Sequence, residues 1–361
     1  MFFVLAVWIR DAPRMVPIEA EGREGVTGVF HAHTQSSHDA SLPMGVVTQA
    51  AADANLDFLV LTDHDIQPPP EDTNGVTVFS YSELSTGKGH VVQLGAQALL
   101  SEEDRTSEDV LLRIQEQGGF AVVTHPTAIR RPWSRTWEGA GGLEIASIYS
   151  SIYRVGGKTM LPILPVVAAF FIDSDLALAQ LIDRDDEALA MWDANPDPLV
   201  GFCGLDTHGK LDVGKEMEGW QLAVDISVAS TWPSKTEVAS SEALLQALTR
   251  GQFYCAAGFL GVPRFLFLAQ NSAGGTLGGM GSVVSGEEEY RLMAVIEYEG
   301  QPYTMRLYRD GEEILATQGK GLTLTTSTPG RYRIEVETEL PGLLWGSRTV
   351  PVLYSNRIEI R

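Results

Sequence analysis

Seven histidines serve a chain of 361 residues, and three of them, His31, His33 and His38, stand in the single stretch "GVFHAHTQSSHDA". The others are His64 in "LTDHD", His90 in "GHVVQLG", His125 in "VTHP" and His208 in "GLDTHG", so none falls after position 208. Imidazoles set beside carboxylates and hydroxyls in this way form a donor set for divalent transition ions. Taken singly, His90, or Glu83 in "SELS", reads as an ordinary satisfied side chain. "HAHT", and Asp206 with His208, are as compatible with structure as with ligation. Only convergence would make them a site.

The elements that carry these residues predict that convergence. From about residue 26 to 260, short β-rich apolar runs alternate with helical patterns, which implies parallel strands joined by crossover helices. "GVTGVF" is the first strand. Ser41 as N-cap, Pro43 near the first turn and Met44, Val47, Ala51 and Ala54 at helical spacing predict the helix that returns from it. "DFLVLTDHD", "VTVFSYSEL", "HVVQLGA", "FAVVTHP" and "LVGFCGLDTHG" continue the strands. His31, His33, His64, His125 and His208 therefore stand at or just past strand C-terminal ends, the rim where the loops of an α/β barrel meet. The alternation of a strand also points both rings of His-x-His to one side, so that the pair can chelate one ion.

After Val262 and Pro263 the character changes. The runs "RFLFLAQ", "YRLMAVIEYEG" and "YRIEVETEL" alternate at period two, with turns at Asp310-Gly311 and Pro329-Gly330, and predict an antiparallel β-sandwich of about 100 residues. The expected organisation is an N-terminal extension over 1–25, a barrel over 26–262 and the β domain over 263–361.

The totals narrow the partners. At 44% hydrophobic and 20% charged residues the chain is an ordered globular protein. A net charge of −21 repels nucleic acid and anionic membranes, and it requires a local positive source for any anionic substrate. Cys203 and Cys255, both in apolar stretches, are expected as buried free thiols. The opening "MFFVLAVWIR" lacks a basic n-region and a small-residue cleavage site, which favours the cytoplasm over export as a signal remnant. The run Met160 to Ile172, broken by Pro162 and Pro165, is too short to span a membrane and predicts a buried or lid-forming segment. "GGKT" at 156–159 is no phosphate loop, since Ile152 stands where that loop needs glycine. Neither a G-x-S-x-G elbow nor a dinucleotide fingerprint is present.

In order along residues 26 to 260, "FHAHT", "LTDHD", "SELS" followed by "GHVVQLG", "VTHP" and "GLDTHG" resemble the polymerase and histidinol phosphatase (PHP) superfamily of metal-dependent hydrolases. "GGLEI", "ALAMWD" and the closing "PVLYSNRIEI" look most like its branch that includes carbamate hydrolases and carries a C-terminal β domain. The resemblance implies a distorted (β/α)7 TIM-like barrel holding two to three divalent ions, zinc, manganese or iron. His31, His33, Glu83 and Asp206 would hold the first ion, with Glu83 bridging to a second that His90 and His125 complete. His38, His64 and His208 would hold the third. Many relatives place Asp where His38 stands, which implies a third site richer in nitrogen unless the neighbouring Asp39 ligates instead.

Divalent ions in such a donor set lower the pKa of water towards neutrality and polarise the scissile group, with Glu83, Asp206 and His208 as the catalytic set. Ions and ligands together would be net positive, which suits a small phosphate ester, while an amide or carbamate could use the same chemistry. Asp63 and Asp65 are candidates to orient an imidazole. Arg130, Arg131 and Lys88 are candidate binders of an anionic substrate, and Trp133 and Trp137 candidate walls of its pocket. A different class, a binding or regulatory module with a structural metal, is weakened by the near-complete ligand set.

Overall fold

Apolar runs such as Phe58–Leu61, buried on both faces, are what strands enclosed between a barrel interior and a helical layer require. In the computed structural model, which describes residues 25–157, 163–209, 212–225, 242–298, 303–342 and 346–361, seven strands close into a barrel. They are β1 (Gly25–Ala32), β2 (Phe58–His64), β3 (Thr77–Ser85), β4 (His90–Leu94), β5 (Phe120–Thr124), β6 (Ala140–Ser147) and β7 (Val200–Thr207), in sequence order, with β7 pairing back onto β1. The expectations placed on the opening "MFFVLAVWIR", on Met160–Pro162 and on the end of "GGKT" lie outside the described residues.

All neighbours in the ring are parallel except at β4, which runs antiparallel to both β3 and β5. Strand direction therefore reverses at one place: β3 and β4 form a hairpin closed by Thr86–Gly89, with Gly87 at φ 79° and Gly89 at φ 115°. The reversal has a consequence for the site. It brings His90, the first residue of β4, to the same rim as the last residues of the parallel strands.

Helix α1 (Met44–Asp53) lies between β1 and β2, α2 (Glu102–Thr106) and α3 (Val110–Glu116) between β4 and β5, and α4 (Ile148–Gly156), α5 (Leu164–Phe170), α6 (Ser174–Ala179) and α7 (Asp186–Ala194) between β6 and β7. The connections from β2 to β3 and from β5 to β6 carry no helix, short of the strand–helix alternation expected. Val29, Leu59, Leu61 and Leu205 meet α1 through Val47 and Ala51, while Phe30, Phe58, Val60 and Phe202 turn the other way into the main core. No helix among the described residues is long and apolar enough to cross a membrane.

The chain then passes through α8 (Val213–Glu216), β8 (Trp220–Asp225), α9 (Glu242–Thr249) and β9 (Phe253–Ala257). Strand β8 lies antiparallel to β1, and β9 antiparallel to β8. The C-terminal residues contribute β10 (Arg264–Gln270), β11 (Thr276–Gly279), β12 (Val283–Val284), β13 (Tyr290–Glu297), β14 (Thr304–Arg309), β15 (Glu312–Gln318), β16 (Gly321–Thr326), β17 (Gly330–Pro341), β18 (Ser347–Ser355) and β19 (Ile358–Ile360). Strands β11, β10, β13 and β16 make a separate antiparallel sheet, whereas β18 pairs with β9 and so extends the barrel's own sheet into this region.

One sequence expectation is overturned here. Cys203 on β7 and Cys255 on β9 are joined in a disulfide, with Cα atoms 6.0 Å apart, rather than being free thiols. Both are buried, which hides the bond from reductant. The link closes a loop with a sequence separation of 52, for which loss of unfolded-chain entropy predicts a contribution of about 4 kcal/mol. Cys203→Ala should lower the unfolding free energy by up to that amount in a urea titration. An intact native mass matching two free thiols would contradict the bond.

Candidate metal centre

At the C-terminal rim three of the site residues adopt a backbone that L-residues avoid: His31 at φ 70°, His125 at φ 28° and Asp206 at φ 54°. Such conformations cost about 1–3 kcal/mol each and persist where the surroundings fix them. At His31 the cause is visible, because the register of β1 slips between Phe30 and Ala32 against both β2 and β7. His31 and His33 thus converge through a bulge rather than through plain alternation, with ring centroids 5.1 Å apart.

The centre of the arrangement is the buried carboxylate of Glu83 on β3. Its Oε2 lies 3.1 Å from His31 Nε2, 3.4 Å from His33 Nε2 and 3.5 Å from His64 Nδ1. Its Oε1 lies 3.0 Å from His125 Nε2 and 3.8 Å from His90 Nδ1, and it accepts the Thr124 hydroxyl at 2.5 Å. Asp206 Oδ1 stands 3.4 Å from both His31 Nε2 and His33 Nε2. His208 stacks on His33 with centroids 4.6 Å apart.

His38 does not join them as the third-site ligand. Its ring is exposed and only faces that of His64 at 5.1 Å, while Asp39 enters the cluster, accepting from His208 Nε2 at 2.9 Å with His64 Nε2 at 3.4 Å. The Ser37 hydroxyl donates to Asp39 at 2.8 Å and so helps fix which side chain of the loop turns inward. Neither Asp63 nor Asp65 hydrogen-bonds to an imidazole among the described residues. Asp63 takes the amide and hydroxyl of Thr34, pinning the loop after His33, and Asp65 takes the Ser85 amide and pairs with Arg105. Lys88 is directed to Glu108 at 2.7 Å. Trp133 is buried in the core, with Trp137 packed against the same core. Arg130 and Arg131 are exposed on the loop after β5, and neither pairs with a carboxylate among the described residues.

Glu144 on β6 is a participant that the sequence reading missed. Its Oε1 meets His31 Nδ1 at 2.6 Å and its Oε2 accepts the His125 amide at 2.7 Å, so one buried carboxylate orients two candidate ligands. A Cβ at Gly204 would run into this carboxylate, which explains glycine there. The only signal was the lone acid in the apolar "GGLEI". Because a carboxylate behind a ligating imidazole fixes its tautomer and raises its basicity, Glu144→Gln should weaken metal affinity about 10- to 100-fold. Metal competition against a chromophoric chelator measures this, and an unchanged affinity would assign Glu144 to folding alone.

Ionisable groups are displaced strongly. Burial works to lower the His31 imidazole, but Glu83, Glu144 and Asp206 outweigh it and hold it well above its ordinary value. Burial is likewise outweighed at His64, raised to about 9 by Asp39 and Glu83, at His125 by Glu83, and at His208 by Asp39 and Asp206. Burial prevails at His33 and His90, both lowered to about 4. Burial opposes ionisation of Glu83 and Asp206 too, yet the surrounding imidazoles hold both carboxyls below their usual range.

The linkage gives a prediction for the metal-free protein. The four raised histidines contribute stability that is full below the unfolded value near 6.5 and is lost as pH rises through their folded values, about 9 for His64. His33 and His90 act in the opposite sense: their contribution is present above about 6.5 and is lost as pH falls towards 4. Thermal midpoints of chelator-treated protein should therefore peak near pH 6.5 and fall on both sides. A profile flat from pH 4 to 9 would contradict the clustering.

The donors fit metal ions. Neither ring nitrogen of His33, nor Nδ1 of His64, His90 or His125, has a well-formed hydrogen bond among the described residues, although all are buried. Two donors bound to one tetrahedral ion at 2.0–2.2 Å stand about 3.4 Å apart, the spacing seen around Glu83 and Asp206. Four overlapping groups keep their donor atoms within 4.8 Å: His33, Asp39, His64 and His208; His31, His33 and Glu83; His31, His125 and Asp206; Glu83, His90 and His125.

No family model and no curated protein matches the chain. Among solved structures it is similar to a two-domain protein containing a predicted PHP-like metal-dependent phosphoesterase from Bacteroides vulgatus. The two share 14% identity, with 94% of this chain and 98% of that one covered and a TM-score of 0.41. At that score the two folds agree only loosely, and the functional reading rests on the site itself.

Proposed function

We propose that this chain is a metal-dependent hydrolase of the PHP type whose reaction is hydrolysis of a small phosphate ester. The observation that supports it most is Glu83, a buried carboxylate with imidazole nitrogens of five histidines within 3.8 Å. A buried cluster this rich in acids and imidazoles is costly to assemble unless cations occupy it. His31, His33, Glu83 and Asp206 would hold one ion, Glu83, His90 and His125 a second, and Asp39, His64 and His208 a third. Bound zinc, manganese or iron would supply Lewis acidity and a water of near-neutral pKa.

The protein's own groups do the rest. Glu83 and Asp206, held ionised, fix the negative charge of the donor set, and Glu144 and Thr124 fix its orientation. Arg130 and Arg131, exposed on the loop after β5, would meet an anionic group with forked donors. Amide or carbamate hydrolysis is a second reading, favoured by the apolar wall beside His208, which suits a neutral carbonyl compound.

Elemental analysis of untagged protein purified without chelator tests the proposal. Two to three transition ions per chain, followed by turnover in a screen of phosphomonoesters, phosphodiesters and carbamates, are expected. No metal even after reconstitution with manganese or zinc would leave a binding module as the better reading.

A further inference from the structure

A cavity of about 580 Å³ adjoins the metal cluster, within the range of sites that enclose a small ligand. Asp206 and His208 form its inner end, and Ile152, Val166, Phe170 and Leu181 are among the side chains of its apolar wall. The parts of α4 and α5 that face it offer Tyr149 as their one hydrogen-bonding side chain, and that hydroxyl is engaged with Tyr153 at 2.9 Å. Thr207 and, at the two ends of α8, Asp212 and Glu216 bring polar groups from the other side, so a sugar or nucleoside lying along the α4 and α5 wall would leave the hydroxyls that face it without partners, at a loss of affinity. At the outer end Val167 and Phe171 line the cavity while 52% and 86% exposed, so the apolar lining continues to the surface.

Resting on the hydrolase reading above, we propose that the substrate is a phosphate ester of an apolar alcohol, its hydrocarbon filling this cavity and its phosphate at the Asp206 and His208 end. Hydrolysis adds the elements of water across the ester P–O bond and releases inorganic phosphate and the alcohol. The net charge of −21 leaves the apolar group, rather than attraction of the whole protein for anions, as the main source of ground-state affinity.

A series of alkyl phosphates from ethyl to decyl tests this twice, by calorimetric binding to metal-free protein and by turnover after manganese or zinc loading. Binding should tighten by up to about fourfold per methylene while the chain is being buried. A negative heat-capacity change should accompany it. Phe171→Asp and Val167→Asp, both at exposed positions, should flatten the series and weaken decyl phosphate at least tenfold. A series that is flat in the native protein, with ethyl phosphate nonetheless hydrolysed, would overturn the apolar substrate and leave the hydrolase reading intact. A steep binding series with no ester hydrolysed by the metal-loaded protein would uphold the cavity's role and overturn the hydrolase reading. Preference for decyl phosphate in solution, or for phosphatidic acid in phosphatidylcholine vesicles, would distinguish a soluble amphiphile from a membrane lipid, and either supports the apolar group.

Discussion

Glu83→Gln should lower turnover by about 10³-fold or more and remove at least one ion per chain, while the protein still folds. The substitution keeps the shape of the side chain and its ability to accept the Thr124 hydroxyl. What it removes is the charge shared by His31, His33, His64, His90 and His125, and it turns an amide N–H towards nitrogens that would ligate. In the metal-free protein the cost is limited, because His31 and His125 can shed the protons that Glu83 helps to hold. A melt of the chelated variant should therefore stay cooperative, with a loss below the roughly 3–5 kcal/mol of a broken buried ion pair. Full turnover at matched metal content would sink the assignment of Glu83. Loss of metal from every group at once would show that the ions bind as one cooperative unit.

The parts of this site legible in the sequence were those written in local pattern. Apolar runs ending in "HAHT", "TDHD", "THP" and "DTH" announce strands whose polar ends share a rim, and five histidines follow from that. What the pattern could not carry was decided by backbone geometry or by distant pairing. The choice of Asp39 over His38 turns on one residue of a loop, where Ser37 and His208 hold the aspartate inward. Glu144 sits in the middle of a strand, and its role appears only when β6 lies beside β7 with glycine at 204. The disulfide joins β7 to β9, strands that no local signal pairs. The antiparallel β4, by contrast, had a signal in "STGKGH", a glycine-rich turn short enough for a hairpin and too short for a crossover helix.

Deletion of residues 264–361 is the other substitution of large effect, and its expected product is an aggregating or loosely packed chain rather than an active barrel. No candidate ligand lies in the deleted part, so the reason is mechanical. Strand β18 covers the edge of β9 that would otherwise stand unpaired. Asn356 accepts the Gly201 amide at 2.9 Å and donates to the carbonyls of Gly201 and Phe253, bonds that tie the C-terminal segment to β7 and β9. Asp193 would lose the guanidinium groups of Arg333 and Arg357 at 2.7 and 3.0 Å, and Trp192 would lose the cover of Arg357, 4.0 Å over its ring. One hydrophobic cluster also runs from Phe30 and Phe202 to Tyr332 and Ile334, so deletion cuts through a core rather than between two. The milder Asn356→Ala separates folding from chemistry: it should cost about 1–3 kcal/mol for polar groups left unpaired, yet preserve turnover per folded, metal-loaded molecule. Denaturant titration beside active-site metal counting measures both. A truncated chain that stays monomeric, melts cooperatively and retains its ions would show that the barrel closes on its own, and the C-terminal strands would then have to be explained by what they contribute to substrate choice.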